Sequence, residues 1–223
     1  MKHISCIIPA FNEGGSIKNI LETVANHPAI YETIVVNDCS SDNTGAIVST
    51  FPNVKLITNQ KNQGKSTSVC IGVKEAAGEF VLFLDADLIG LTSENISALV
   101  IPVIKGEADV TISLRKYKFW MFLGIDPLSG ERVFSKNLIM DNFEKICALP
   151  SFGLEAFLNN YIIEKHYRIK IVPWENVISP YKHKKYGMWT GIKSDIGMIR
   201  DICSIASPAQ LVYQIVRMLK LVK

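Results

Sequence analysis

The chain has little of what would assign it a class at a glance. Its five cysteines, at 6, 39, 70, 147 and 203, are odd in number, and no Cys-x-x-Cys occurs. That spacing suggests neither a disulfide framework nor a cysteine zinc site, and reduced, buried thiols are the expectation. Charge of one sign is scarce. The 24 Lys plus Arg are set against 21 Asp plus Glu, a formal net charge of +3, which is too small for a nucleic-acid footprint. Long apolar runs are missing too. The longest stretches, such as 98–104, reach under half of the roughly 18–20 residues a membrane span needs. The first residues do not read as a signal peptide, because Pro9 and Asn12-Glu13 end the early apolar run. A cytoplasmic chain that avoids nucleic acid is expected.

What is present points to a packed α/β fold. Hydrophobic residues make up 48% of 223 and charged residues 20%, enough to bury a core and too apolar for disorder. Apolar runs at 4–9, 33–36, 54–57, 80–84 and 109–114 read as strands. Segments 16–25, 42–48, 65–77 and 93–105 read as helices between them. This alternation predicts a mostly parallel, Rossmann-like sheet with helices on both faces, and the nearly all-apolar runs suit strands buried on both sides. After 115 the pattern loosens. A loop spans 124–130, helices are expected at 137–148, 154–165, 195–205 and 208–223, and a strand at 168–177. Ser207 is the expected N-cap of the last helix, with Pro208 in its first turn. No repeat or linker divides the chain. One domain is expected, with a nucleotide-binding half (1–115), an acceptor-shaping half (116–206) and a C-terminal amphipathic helix (207–223).

In open sheets of this kind ligands bind beyond the carboxyl ends of the strands. Three expected strands end in polar or acidic residues: Asn12-Glu13, Asn37-Asp38 and Asp85-Ala86-Asp87. Two carboxylates at i and i+2 after a buried strand can face one hard cation, Mg²⁺ or Mn²⁺, shared with substrate phosphates. Gly64-Lys65-Ser66-Thr67 invites a P-loop reading but fails it, since position 59 is Asn where a glycine is required. Lys65 at a helix start can still meet a phosphate. No Gly-x-Gly-x-x-Gly is present.

Four motifs in order complete the picture: Ile8-Pro9-Ala10-Phe11-Asn12-Glu13, then Val36-Asn37-Asp38-Cys39-Ser40-Ser41-Asp42-Asn43-Thr44, then Asn62-Gln63-Gly64-Lys65, then Phe83-Leu84-Asp85-Ala86-Asp87. Together they resemble family 2 glycosyltransferases of the GT-A fold over about the first 115 residues. The resemblance implies a nucleotide-sugar donor. Pro9, Ala10 and Glu13 would line the nucleoside pocket, Asp38 would accept from the base, and Lys65 would lie near the base or diphosphate. Asp85 and Asp87 would hold the metal, with Asp87 the direct ligand. Arg115 looks like the basic residue that polyprenyl-phosphate sugar synthases carry after the fifth strand.

The second half refines this. Pro127-Leu128-Ser129-Gly130-Glu131-Arg132, Phe152-Gly153-Leu154-Glu155 and Tyr181-Lys182-His183-Lys184 resemble the glucosyl-3-phosphoglycerate synthase-like branch. That resemblance gives Ser129, Gly130 and Glu131 to the acceptor site, Glu155 to the reaction centre and His183 to the metal shell. Bland rivals stand beside these roles. Glu155 can be a helix-start acid, His183 part of a solvated charge run, and Glu131-Arg132 a surface ion pair. The basic loop expected for a phosphoglycerate acceptor is not identifiable. In its place lies the basic and aromatic run from Arg115 to Leu123, which suits a phosphate-headed lipid at an interface. The last helix sets Leu211, Val212, Ile215, Val216, Met218, Leu219 and Val222 beside a cationic stripe. That composition suits the inner face of an anionic membrane, and equally a helix packed on its own domain or in a homodimer.

The expected activity is metal-dependent transfer of a hexose from a UDP- or GDP-sugar to an acceptor, with a polyprenyl or other lipid phosphate favoured. A soluble acceptor, such as a phosphoglycerate or glycan, is the alternative. A non-catalytic nucleotide-sugar-binding protein is a further one, against which the intact Asp85-x-Asp87 argues.

Overall fold

A computed structural model of the protein describes residues 3–115, 118–150, 153–179 and 207–223. The expected positions Tyr181 to Lys184, including His183, and the helix at 195–205 lie outside them.

The N-terminal strands follow the apolar runs: β1 (Ile4–Ala10), β2 (Glu32–Asn37), β3 (Val54–Thr58), β4 (Phe80–Phe83) and β5 (Val110–Arg115). With β6 (Arg132–Ser135) and β7 (Ile169–Trp174) they form one seven-stranded sheet in the order β3-β2-β1-β4-β6-β5-β7. All pairings are parallel except those of β6, which runs antiparallel to both β4 and β5. Successive strand side chains point to opposite faces, so β1 feeds two cores. Ile4, Cys6, Ile8 and Ala10 enter one and Ile7 the other. A strand that buries both faces reads as a continuous apolar run, which is why the sequence shows no alternation there.

Helices α1 (Ile17–Val24), α2 (Thr44–Val48) and α4 (Ser93–Ile104) cover the first face. The first buries Ile17, Ile20, Leu21 and Val24, one stripe at i, i+3, i+4 and i+7. Truncating a core member such as Ile20 to Ala costs about 2–5 kcal/mol. The second face is covered by α3 (Lys65–Glu75), α6 (Asn137–Met140), α7 (Phe143–Cys147), α8 (Leu154–Glu164) and the C-terminal helix (Pro208–Leu219). A short α5 (Lys118–Leu123) follows β5.

Three details differ from expectation. Strand β6 occupies the stretch between the expected loop and the expected helix. The single helix expected over 137–148 is two, because Asp141-Asn142 interrupts it; Asn142 takes φ −123° and caps α7, and such side chains compete with helical bonding. The last helix has Ser207 as its N-cap and Pro208 in its first turn, as expected, with Gln210 completing a capping box, but its polar Gln214 is buried beside Met218, with the amide bonded to α8. Val212, Tyr213, Val216 and Leu219 face outward. No helix among the described residues is long and apolar enough to cross a membrane.

Strand β1 lies between β2 and β4, so the chain leaves it in one direction towards β3 and in the other towards β5. The crevice beyond the carboxyl ends at such a switch point is where ligands bind. The loops after β1, β2 and β4 all open there.

Candidate active site

Two loops on the β1–β2 side lock together. Asn12, in the left-handed region at φ 55°, accepts from the Ser41 amide through Oδ1 at 2.8 Å, and its own amide donates to Ser40 Oγ at 2.9 Å. The Glu13 amide donates to Thr44 Oγ1 at 2.8 Å and the Gly14 amide to Asp42 at 2.9 Å. Burial pushes the Asp42 carboxyl up, but the Thr44 hydroxyl and the amides of Gly14 and Thr44 donate to it and hold it below its ordinary range. Cys39, at φ 61°, is the second left-handed residue of this pair of loops. Strained non-glycine backbone of this kind persists only where the surroundings impose it, and it clusters at functional loops. Pro9 and Ala10 end β1 on this rim, and Glu13, which accepts from Ser16 Oγ at 2.8 Å, precedes α1.

Asp38 is buried at the end of β2. Its carboxylate accepts from Asn59 Nδ2 at 2.7 Å and from the amides of Gln63 at 2.9 Å and Gly64 at 2.8 Å. It therefore sets the loop that leads into α3. An open groove of about 660 Å³, lined by Thr58, Asn59, Gln60, Lys61 and Gln63, runs along that loop. Gly64, at φ 84°, turns the chain into α3. Ser66 Oγ donates to the Pro150 carbonyl and Thr67 Oγ1 to that of Cys147, which ties the start of α3 to the segment just before α8.

Lys65 thereby becomes the hub. Its Nζ lies 2.8 Å from Asp85 Oδ1 and 2.8 Å from Glu155 Oε1. Burial pushes this amine down, but the two carboxylates outweigh it and hold Lys65 above the ordinary lysine range. Asp85 stands at the end of β4 and Glu155 in the first turn of α8, where the helix dipole favours an acid. Residues 65, 85 and 155 are distant in sequence and meet at one nitrogen. Gly130 closes the cluster. A Cβ there would lie 2.8 Å from Lys65 Nζ and 2.9 Å from each Asp85 oxygen.

The rest of the 127–131 loop is turned inward. Ser129 and Glu131 are fully buried. Glu131 Oε2 accepts from Ser113 Oγ at 2.7 Å and Ser129 Oγ at 2.8 Å. Arg115, largely buried, donates to Ser179 Oγ at 2.6 Å and lies 3.4 Å from Glu131 and 3.8 Å from Asp126. Burial pushes the Asp126 carboxyl up, against the pull of Arg115. Arg132 is also fully buried, so Glu131-Arg132 is not a surface ion pair. Sequence reasoning gave Arg132 no role beyond a surface ion pair, counted Gln214 in the polar stripe of the last helix and passed over Asn159, yet all three are buried polar residues in contact with this loop or with α8. The one signal for Arg132 was a charge set just before the apolar pair Val133-Phe134.

The donor set suits a hard cation. Asp85 and Asp87, two residues apart, offer only oxygen ligands, and Mg²⁺ and Mn²⁺ take their remaining positions from phosphates and water. Lys65 faces the carboxylates of both Asp85 and Glu155, and Arg115 faces those of both Asp126 and Glu131. No cluster of three potential metal ligands occurs among the described residues.

Comparison with known proteins agrees with the architecture. Residues 5–161 match the family described as Glycosyl transferase family 2. A dolichyl-phosphate beta-glucosyltransferase of Trichomonas vaginalis is 39% identical over 94 residues, 36% of this chain and 28% of that protein. A dolichol-phosphate mannosyltransferase of Pyrococcus furiosus is 33% identical over 121 residues, 52% of this chain and 34% of that protein. These alignments thus span about a third of each relative's length. Among solved structures, glucosyl-3-phosphoglycerate synthase of Mycobacterium tuberculosis, in complex with Mn²⁺, UDP and phosphoglyceric acid, superposes with a TM-score of 0.70. It is 19% identical, over 92% of this chain and 78% of that one. Its complex with Mg²⁺ and UDP gives 0.71 at 20% identity, over 92% and 79%. At that identity the likeness establishes the GT-A fold.

Proposed function

This chain belongs to glycosyl transferase family 2, and from that premise we propose that it moves a hexose from a UDP- or GDP-sugar to a lipid phosphate at a membrane surface. The observation that carries the proposal is the Lys65 hub. A carboxylate suited to the donor's metal and a carboxylate suited to the acceptor lie on one ammonium, each at 2.8 Å. Donor and acceptor chemistry therefore meet at one point on the switch-point crevice.

In this reading Pro9, Ala10, Glu13 and the loop held by Asp38 bind the nucleoside. Asp85 and Asp87 hold Mg²⁺ or Mn²⁺, with His183 as a further ligand. The ion supplies a Lewis acid that offsets charge on the departing diphosphate. Lys65 keeps Asp85 and Glu155 in register and balances their charge as an anionic acceptor enters. Gly130 lets its loop pack directly on Lys65 and Asp85, and the buried Ser129 and Glu131 shape that loop. Arg115 adds positive charge on the acceptor side. A phosphate oxygen is already anionic at neutral pH and needs no base. A hydroxyl acceptor would need one, and Glu155 would take the proton.

Two exposed apolar features support a lipid acceptor. On α5, at the same edge of the sheet as the site, Phe122 is 88% exposed and Met121 is also exposed. The outer face of the C-terminal helix carries Val212, Val216 and Leu219 beside Arg217 and Lys220. Segment 207–223 contains no acidic residue, so it suits an anionic surface.

The test is a donor panel with Mg²⁺ or Mn²⁺, read as nucleotide release, with polyprenyl phosphate in vesicles and with 3-phosphoglycerate. Release stimulated by the lipid phosphate is the expected result. Stimulation by 3-phosphoglycerate alone would move the proposal to a soluble acceptor. No release from any donor under any condition would end it.

A further inference from the structure

Arg132 opens β6 with no exposed surface. Its guanidinium makes three bonds of 2.7 Å: Nε to the Ser129 carbonyl, Nη2 to the Pro127 carbonyl and Nη1 to Asn159 Oδ1. Two of these acceptors are the backbone of the loop that presents Gly130 to Lys65 and Asp85. The third lies on α8, four residues after Glu155, hence on the same helix face. Burial pulls this guanidinium down, and Glu155 is the foremost of the carboxylates that hold it charged.

The network continues to the end of the chain. Asn159 Nδ2 donates to the Pro127 carbonyl at 2.9 Å and to Gln214 Oε1 at 3.3 Å. Gln214 Nε2 in turn donates to the Ala156 carbonyl at 3.0 Å and to Asn160 Oδ1 at 2.8 Å. Asn159 and Gln214 are as fully buried as Arg132. A buried polar network with its groups satisfied fixes one arrangement and is costly to break in part. An apolar residue at 214 would pack against α8 just as well, so hydrophobic burial does not explain a glutamine there.

Building on the proposed function, we infer that the C-terminal helix is a brace for the acceptor side of the active site. Gln214, Asn159 and Arg132 are positioning residues. They transmit the docking of the last helix to the 127–131 loop and to the α8 face that carries Glu155. The donor loops after β1 and β2 share none of these bonds. The inference therefore separates the two halves of the site: loosening the brace disturbs acceptor transfer and leaves donor binding intact.

The experiment uses the full chain with Gln214→Leu, which keeps the volume and removes the amide, and Asn159→Leu as a second variant. Arg132→Lys, which keeps charge without the three-way fork, is the conservative comparison. Backbone hydrogen exchange is measured over 124–136 and over 34–64. Donor affinity and transfer kinetics are measured beside it. Each Leu variant removes three hydrogen bonds of the network, and the expected result is exchange roughly tenfold or more faster over 124–136, with 34–64 unchanged. Transfer to acceptor falls by a similar factor while nucleotide affinity stays within about twofold, and Arg132→Lys is intermediate. Unchanged exchange over 124–136, or donor affinity falling in step with transfer, would overturn the inference. The exchange arm needs no acceptor, so it decides the brace even if the proposed transfer fails.

Discussion

Gly130→Ala isolates the geometry at the centre of the site. The added Cβ would stand 2.8 Å from Lys65 Nζ and 2.9 Å from both Asp85 oxygens, closer than nonbonded contact allows. All three atoms end flexible side chains, so the fold can yield and stability should change little. The ion pair cannot stay as it is. Stretching the 2.8 Å contact between Lys65 and Asp85 by about 1 Å weakens it by about 1.5 kcal/mol at an effective dielectric constant of about 20. That is roughly tenfold in an equilibrium constant, before any effect on the contact with Glu155. The variant should keep its melting temperature within a few degrees and lose roughly tenfold or more in kcat/KM for the donor. Circular dichroism melts and nucleotide-release kinetics measure the two together. Wild-type turnover in Gly130→Ala, or a loss explained by unfolding, would refute the placement of Gly130 against the reacting groups.

Other outcomes follow from the same contacts. Lys65→Met leaves Asp85 and Glu155 without their shared cation; breaking such a buried pair costs about 3–5 kcal/mol, and partial exposure of Lys65 favours the lower end. Because Lys65 is held above the ordinary lysine range, its contribution is complete below about pH 10 and is lost only as pH rises further, so this deficit should be flat across neutral pH in denaturant melts. Asp126 has its pKa raised by burial, so ionising it costs stability as pH rises through the carboxylate range. Asp126→Asn keeps an acceptor for the Leu128 amide and should be at least as stable as the parent at pH 7, with the advantage vanishing in acid. Val216→Asp with Leu219→Asp alters only partly exposed positions; it should preserve folding and abolish co-sedimentation with phosphatidylglycerol vesicles, and retained binding would count against the membrane surface.

Much of the fold was legible because its signals are local. The N-terminal strands are apolar runs bounded by polar residues, and the ends of β1, β2 and β4 lead into Asn, Asp or Glu. The strand β6 was not legible. It is four residues long and begins with an arginine, whose burial depends on carbonyls and an asparagine contributed by other segments. The Lys65 contact with Glu155 was equally hidden, since it spans 90 positions and depends on α3 docking beside α8. Ser129 and Glu131 were read at the acceptor site from their motif, but sequence could not show that their side chains turn inward while Gly130, itself buried, packs against Lys65 and Asp85. The last helix is the clearest case. Its apolar residues run most of the way round, and the face that packs is the one that joins Met218 and Ile215 to Gln214, whose amide satisfies α8.

The claim that Asp85 and Asp87 serve the donor through a divalent ion is tested most directly by calorimetric titration of UDP and GDP with and without Mn²⁺. The wild-type chain should bind one of these nucleotides more than roughly tenfold tighter with the ion, a difference of about 1.4 kcal/mol. Asp87→Ala should remove that gain while retaining the weak, metal-free binding. An Asp87→Ala protein whose nucleotide affinity still rises with Mn²⁺ as in the parent would contradict the account.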